Sequence, residues 1–168
     1  AVVVVVAAET VIEAEMTLDR VVKALVKPVR AAVPPELGAL HLLCKGTNYV
    51  PADGNETHAL ATDVLALERG KNAAFYPDHV VFLGVGVATE IESGAALVAI
   101  PGKGVLIRKD AKPAVEPMGR CLSDVMRRVE ADDPLTALSA EAIDRLANWD
   151  AEKYRQNLTA GPRAFLGI

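Results

Sequence analysis

The sequence has few of the residues on which nucleic-acid binding and disulfide chemistry depend. Aromatic residues make up 4% of its 168 positions, which disfavours a surface for base stacking. Its net charge is −4, so no basic stripe is available to meet phosphates, and we expect no nucleic-acid partner. The two cysteines, Cys44 and Cys121, do not form a disulfide framework; we expect both to be small core residues in a reducing, cytoplasmic compartment.

The sequence also lacks a long apolar run. The valines at residues 2–6 fall far short of the roughly 20 apolar residues that a membrane span needs. They do not form a signal peptide either, because a basic leader is missing and Glu9 interrupts the apolar stretch. We therefore expect no membrane partner. Hydrophobic residues nevertheless account for 51% of the chain and charged residues for 24%, a composition typical of a globular domain with a sizeable core.

The valine run predicts a strand over residues 2–8. Five β-branched residues in succession suit a strand that is buried on both faces and lies inside a sheet. Because no polar segment leads into it, we interpret it as continuing a sheet formed upstream, in a larger protein. A T-x-x-E capping box at Thr10 and Glu13 then starts an amphipathic helix, which ends before Pro28.

Helical and strand-like patterns alternate along the rest of the chain. They predict helices over residues 34–44 and 56–69, from 139 and over 151–157. A further helix ends near residue 129 and either begins at Pro117 or begins earlier, with Pro113 in its first turn, and kinks at Pro117. Strands are predicted over residues 79–83, 96–100 and 105–108, and a loop over 46–55. We interpret residues 1–168 as one α/β domain, a mixed sheet flanked by helices. Its parts are a strand–helix unit (1–30), a helical segment (31–75), strands plus a helix (76–130), and C-terminal helices with an apolar tail (131–168).

Two segments of the chain resemble each other. Residues 4–6 and residues 105–107 are apolar strands, and each is followed by a short acidic turn and a long amphipathic helix. The echo fits either an internal duplication, with one copy degenerate, or the chance similarity of two common β–α units. Both alternatives stay open, and the echo by itself indicates only an α/β architecture.

The three histidines are the first candidates for chemistry, and no pair of them has metal-ligand spacing. His41 lies on an apolar helix face, where we expect a structural role, and His58 lies in the first turn of a helix, where we expect it at the surface. His79 follows Pro77 and Asp78 at the start of a predicted strand, beside a turn, and could reach a cleft. Asp78 and His79 are therefore the candidate catalytic residues, although a lone histidine is more often structural.

The Pro-Gly-Lys-Gly turn at residues 101–104 is the candidate substrate-binding element. Glycine amides can approach a phosphate closely and Lys103 adds positive charge, so Gly102, Lys103 and Gly104 could hold an anion. The turn lacks the spacing of a Walker motif, and the glycines at 84 and 86 lack the third glycine of a dinucleotide fingerprint. A plain hairpin turn is the simpler interpretation of the same residues.

Several blocks resemble the class II aldolase/adducin family. Residues 4–22, VVVAAETVIEAEMTLDRVV, resemble the strand, turn and helix that follow the family's His-Gly pair. The blocks that begin at His58 (HALATD), Tyr76 (YPDHVVFLG), Pro101 (PGKGV) and Asn148 (NWDAEK) resemble the C-terminal region of the longer bacterial members, including those fused to short-chain dehydrogenases. The resemblance covers nearly the whole chain, and YPDHVVFLG and the late Trp149 are its most specific parts.

The resemblance implies a class II aldolase-like α/β/α fold, a homo-oligomer, and sugar-phosphate or related carbonyl substrates. In the family, a divalent metal, usually zinc, stabilises an enediolate as a Lewis acid. The metal-binding histidines do not map onto this chain, because Val2 and Val3 stand at the His-Gly positions and the other ligands would precede Ala1. We therefore assign no metal ligand here and expect the metal to be bound upstream. Lys103-Gly104 stands where a degenerate second copy would place His-Gly.

Three hypotheses about function follow. In the first, the chain is the non-catalytic C-terminal portion of an aldolase-like protein, which completes a sheet, builds oligomer contacts and borders a cleft with Asp78, His79 and Lys103. In the second, it is a self-sufficient lyase or epimerase-type enzyme that binds a phosphorylated substrate near Lys103 and His79. In the third, it is purely an oligomerisation module.

Overall fold

The computed structural model describes residues 4–149. Within that range the elements are α1 (Val11–Leu25), α2 (Leu37–Leu43), β1 (Tyr49–Pro51), α3 (Asn55–Thr62), α4 (Val64–Gly70), α5 (Pro77–Leu83), β2 (Leu97–Ile100), β3 (Gly104–Arg108), α6 (Val115–Met126) and α7 (Ala140–Asn148), with a 3₁₀ turn at Ile91–Ser93. The predicted α/β class is confirmed. None of the helices within residues 4–149 combines the length and the apolarity needed to cross a membrane.

The sheet has three strands in the order β1-β3-β2, and both pairings are antiparallel. Tyr49 lies opposite Arg108 at one end, and Val98 lies opposite Leu106 across the hairpin. A single bridge between Ala88 and Val98 adds a parallel contact at the edge. The described residues therefore form a small antiparallel sheet, where the sequence predicted a larger mixed one.

The central strand β3 divides the interior into two clusters. Val105 packs into a large cluster with Leu60 of α3 and Leu122 of α6, whereas Leu106 packs into a smaller one with Leu40 of α2. Successive side chains of a strand point to opposite faces, which explains why Val105 and Leu106 lie in different clusters. The sheet thus lies between α3 and α6 on one face and α2 on the other.

A glycine allows α6 to approach the sheet. Gly119 lies directly against Leu97 of β2, so close that a Cβ atom at this position would overlap the Leu97 side chain. The Thr57 methyl group of α3 would lie 3.5 Å from the same Cβ. The three elements therefore meet at a point where a larger residue has no room.

The predicted strand over residues 2–8 is wrong for the residues that the structure describes. Residues 4–8 have no strand pairing, and Val5 is 84% exposed. A strand needs a neighbour to take its backbone hydrogen bonds, and no segment within residues 4–149 does so. Of the strand–helix unit proposed over residues 1–30, the helix is present and begins with the predicted capping box at Thr10 and Glu13. Residues 4–8 do not form the predicted strand.

The predicted strand over residues 79–83 is also wrong, because these residues belong to helix α5. Pro77 stands at the start of the helix, Tyr76 precedes it in an extended conformation, and the Gly84 amide donates to the Val80 carbonyl in the last turn. A short apolar run does not distinguish a buried strand from a buried helix. Here proline at the first helical position favours the helix, since its fixed φ suits that site.

Asp63 divides the helix predicted over residues 56–69. Its backbone is extended, and its carboxylate accepts a hydrogen bond from the Ala66 amide at 2.9 Å, so it caps the new helix α4. The predicted loop over 46–55 contains strand β1. The helix that was expected either to begin or to kink at Pro117 begins at Val115. These corrections concern local boundaries and leave the order of the main helices unchanged.

Other predictions about the helical segments have mixed outcomes. Ser139 caps α7 as expected, accepting from the Ala142 amide at 3.2 Å. The expectation that both cysteines are core residues is wrong for Cys121, which is exposed, whereas Cys44 is half-buried and packs against the smaller core cluster. The helix expected over 151–157 and the apolar tail lie outside the described residues.

Candidate functional site

An open cleft of about 620 Å³ lies between α2, β1 and the start of α3. Polar groups from all sides line it, among them His41, Cys44, Lys45, His58 and Lys109. The cleft exists because the 46–55 segment leaves α2, runs through β1 and enters α3, so that three short elements converge without filling the space between them.

His58 forms part of the wall, and its ring is fully engaged. The Val105 amide donates to Nδ1 at 2.9 Å, so the proton is on Nε2, which donates to the Ala52 carbonyl at 3.0 Å. The side chain is 1% exposed, and burial lowers the pKa of the imidazole, opposed by the hydrogen bond to Ala52 and by the charge of Glu116. The neutral ring therefore ties β3 to the residue that follows β1. The prediction that His58 lies at the surface is wrong.

Glu116 fixes the loop that leads into α3. Its Oε1 accepts hydrogen bonds from the amides of Asp53 at 2.7 Å and Gly54 at 2.9 Å. One carboxylate in the first turn of α6 thus holds two successive amides of a distant loop. Such charge-assisted bonds are shorter and stronger than neutral ones, and they keep the rim of the cleft in place.

The reactive groups of the cleft are a thiol and two ammonium groups. Burial raises the pKa of the Cys44 thiol, with a smaller opposing effect from Lys109, so Cys44 is a protonated thiol at neutral pH. The Lys109 ammonium donates to the Thr47 carbonyl at 3.2 Å. Lys45 and Lys109 give the cleft two positive charges against one negative charge from Asp53, which suits a small anion better than a nucleophilic thiol mechanism.

His41 is exposed on α2 and lines the cleft, so the satisfied position on an apolar face predicted for it is wrong. The cause is the register of the short helix. Leu40 is the buried residue of α2, and the neighbouring His41 is turned to solvent.

The predicted anion-binding turn closes the β2–β3 hairpin. The Gly102 amide donates to the Ala61 carbonyl and the Lys103 amide to the Ile100 carbonyl, both at 2.9 Å. The Lys103 carbonyl in turn accepts from the Glu36 amide at 2.9 Å. Two of the amides that could have faced a phosphate are therefore used within the protein, one to join the turn to α3 and one to close the turn itself.

Gly104 and the Lys103 side chain occupy the end of this turn. Gly104 has φ near +138°, and a Cβ atom there would lie 2.7 Å from His58 Nδ1, so the glycine allows the imidazole to reach β3. The Lys103 ammonium lies on the surface, 3.9 Å from a Glu36 carboxylate oxygen. Substrate binding by residues 102–104 stays a prediction, with Lys103 as the group that faces solvent.

The two candidate catalytic residues lie at the start of α5. His79 is fully buried beside the ring of Tyr76, with 5.6 Å between ring centroids, and neither of its ring nitrogens has a hydrogen-bond partner within residues 4–149. Burial lowers the pKa of His79 to about 4. Asp78 is half-exposed in the first turn. Burial, Cys121 and Asp78 together raise the pKa of the Tyr76 hydroxyl.

His79 and Lys103 have different surroundings. The described contacts of His79 are with the rings of Phe75 and Tyr76, and those of Lys103 are with Glu36 and Ile100. The expectation that His79 reaches a cleft depended on a strand end that is in fact a helix. Its catalytic role stays a prediction, and it would require an opening of the α5 region.

No family model, curated protein or solved structure matches this chain. The resemblance to class II aldolases therefore depends only on the sequence blocks quoted above. Within residues 4–149, no group of three or more His, Cys, Asp or Glu side chains could hold a metal ion. His58, which lines the cleft, and Glu116, which holds the loop at its rim, are separated by 58 positions, and the sequence carries no local signal that joins them.

Proposed function

We propose that this chain is the structural, non-catalytic part of a class II aldolase-like protein, in which it supports packing and subunit contacts. The observation that carries the proposal is the complete use of the His58 ring by the backbone of Ala52 and Val105. A histidine that serves acid–base catalysis needs one nitrogen free for substrate. Here both nitrogens stabilise the fold.

The turn at residues 101–104 supports the same proposal. Its amides at Gly102 and Lys103 donate within the protein, which leaves the Lys103 side chain as its contribution to any ligand. A single exposed lysine is a weak anion site, because solvent screens its charge. The aldolase-like assignment itself follows from the sequence resemblance, and the sugar-phosphate substrate class belongs to the whole protein that the resemblance implies.

The cleft favours a second candidate, a lyase or epimerase-type enzyme that takes a phosphorylated carbonyl substrate. Lys45 and Lys109 line a cavity large enough for a small sugar phosphate. In this candidate the ligand would lie beside α2 and β1, whereas the sequence favoured positions near Lys103 and His79. The protonated Cys44 thiol and the imidazole of His41 line the same cleft.

Thermal unfolding with added inorganic phosphate or a pentose phosphate separates the two candidates. The structural role predicts no ligand-dependent rise in Tm for the unmodified chain. A rise that disappears in Lys109→Ala and persists in Lys23→Ala, an exposed lysine of α1, would establish the cleft as a ligand site and favour the enzyme. A rise that disappears in Lys103→Ala would assign it to the turn.

Metal analysis provides an independent check on the absence of catalysis. Stoichiometric zinc on the purified chain, lost in His79→Ala, would overturn the structural proposal. The matched control is His41→Ala, which removes an exposed imidazole from the cleft.

A further inference from the structure

Helix α1 presents an apolar stripe to solvent. All fifteen of its residues are at least partly exposed. Val11, Leu18, Val22 and Leu25 follow one another at spacings of seven, four and three residues, which places them on one face, and Leu18 in the middle is 42% exposed. A helix of this length is marginal in water without packing, and contiguous apolar surface marks an interaction site. The face therefore needs a partner.

The stripe continues into an open apolar groove of about 590 Å³. Val22 and Leu25 form one side of the groove, and Val125, Val129 and Leu135 form the other. The Lys27 ammonium, 2.7 Å from an Asp133 carboxylate oxygen, holds the end of α1 next to this groove. A second helix that lay along the stripe would thus reach both α1 and the end of α6.

The charges around α1 are segregated along the chain. Residues 4–19 contain acidic and no basic side chains, and residues 20–33 contain basic and no acidic ones. The acidic residues are Glu9, Glu13, Glu15 and Asp19, and the basic ones are Arg20, Lys23, Lys27 and Arg30. This distribution complements the dipole of a single helix. Lys27 and Arg30 form ion pairs within the chain, with Asp133 and Asp63. The remaining charges make two antiparallel copies electrostatically complementary, whereas two parallel copies would place like charges side by side.

We propose that the apolar face of α1 packs antiparallel against α1 of a second copy of this chain. Leu18 lies near the two-fold axis, and Val11 of each copy lies beside Leu25 of the other, over the groove. A two-fold pair of this kind uses the same patch on both subunits and is closed, so it forms a dimer and no filament. The inference rests on the subunit contacts in the proposed function and names their partner and geometry.

Sedimentation of the full chain over a range of concentrations tests the pairing. We expect a dimer for the unmodified chain and a dissociation constant raised roughly 100-fold or more in Leu18→Asp, since both copies lose a buried leucine. The matched control is Met16→Asp, because Met16 is 67% exposed and lies about 160° around the helix from Leu18. It should leave the dimer unchanged, and circular dichroism should show equal folding of both variants.

Cysteine cross-linking tests the orientation, in a Cys44→Ser, Cys121→Ser background. Under an added oxidant, a mixture of the Val11→Cys and Leu25→Cys variants should form a disulfide-linked heterodimer, and Val11→Cys alone should not cross-link. Cross-linking of Val11→Cys to itself would indicate a parallel pair and overturn the proposal.

Two sedimentation results would also overturn the proposal. One is a well-folded monomer at all concentrations, which would mean that the face is covered otherwise, for example by residues 150–168. The other is a dimer that Leu18→Asp does not weaken. Neither result bears on the phosphate and zinc experiments, so failure of the pairing is distinguishable from failure of the structural role.

Discussion

Arg30 and Asp63 form a two-point ion pair between the segment after α1 and the cap of α4. The Arg30 Nε lies 3.1 Å from Oδ2 of Asp63, and Nη2 lies 3.3 Å from Oδ1. The same guanidinium donates to the carbonyls of Met126 and Val129 at the end of α6. One side chain therefore joins three parts of the chain that are distant in sequence.

Replacement of Arg30 should destabilise the fold substantially. Arg30→Ala leaves the nearly buried Asp63 carboxylate without its partner and two carbonyls without a donor, which we expect to lower the free energy of unfolding by about 2–4 kcal/mol. Urea unfolding measures the change. Arg20→Ala removes an exposed arginine whose described bond is to Thr17, and it should change stability by less than about 0.5 kcal/mol. Equal effects of the two variants would contradict the assigned role.

His58 should be important for stability, in contrast to His41. His58→Ala leaves the Val105 amide and the Ala52 carbonyl unpaired and opens a cavity, so we expect a loss of about 2–4 kcal/mol. His41→Ala, in the exposed cleft wall, should have little effect on stability. Chemical denaturation checks both variants, and a stable His58→Ala protein would show that the imidazole bridge is dispensable.

Stability should fall between neutral and mildly acidic pH because of His79. Its folded-state pKa of about 4 lies below the ordinary value of 6.5, so the folded protein binds fewer protons than the unfolded chain in this range. The stabilisation is complete above pH 6.5 and is lost as the pH falls toward 4, by about 3 kcal/mol in total. Urea unfolding at pH 7 and pH 4.5 measures the loss.

The matched variant for the pH experiment is His79→Phe, which keeps an aromatic ring and removes the titration. This variant should reduce the pH dependence of the free energy of unfolding. A smaller dependence should remain because of His58, whose pKa is also lowered. Asp110 and Asp133 have pKa values below the usual 3.8, so their protonation affects stability at lower pH. An unchanged pH dependence in His79→Phe would mean that another group dominates.

Gly119 should tolerate no side chain. Gly119→Ala forces a methyl group onto Leu97, and we expect a loss of about 1–3 kcal/mol in thermal unfolding. Addition of Leu97→Val removes the overlapping carbon and should restore part of the loss. Gly38→Ala is the control, because nothing lies within 4 Å of its Cβ position in α2, and it should stabilise by about 0.5 kcal/mol. A neutral Gly119→Ala would show that α6 can shift away from β2.

Features encoded in a few adjacent residues were predictable from the sequence. The capping box at Thr10 and Glu13, the cap at Ser139 and the hairpin around residues 101–104 each depend on contacts within about four positions. Helix α5 was not predictable from the sequence, because a five-residue apolar run fits both helix and strand until its tertiary neighbours are known.

The candidate site was less predictable than the fold. His58 appeared to be a surface residue because its helix turn, Glu56-Thr57-His58, is polar. Its burial depends on a strand 47 positions later that supplies an amide to Nδ1. The strand expected over residues 2–8 failed for a related reason, since β-branched residues favour a strand and cannot supply its neighbour.

Because Val105 and Leu106 pack into different clusters, the hairpin turn cannot change its length freely. A one-residue insertion in the hairpin turn would slip β3 by one position and exchange these two side chains between faces. It would also move the Val105 amide away from His58. Length variation among descendants of this sequence should therefore be absent from residues 101–104.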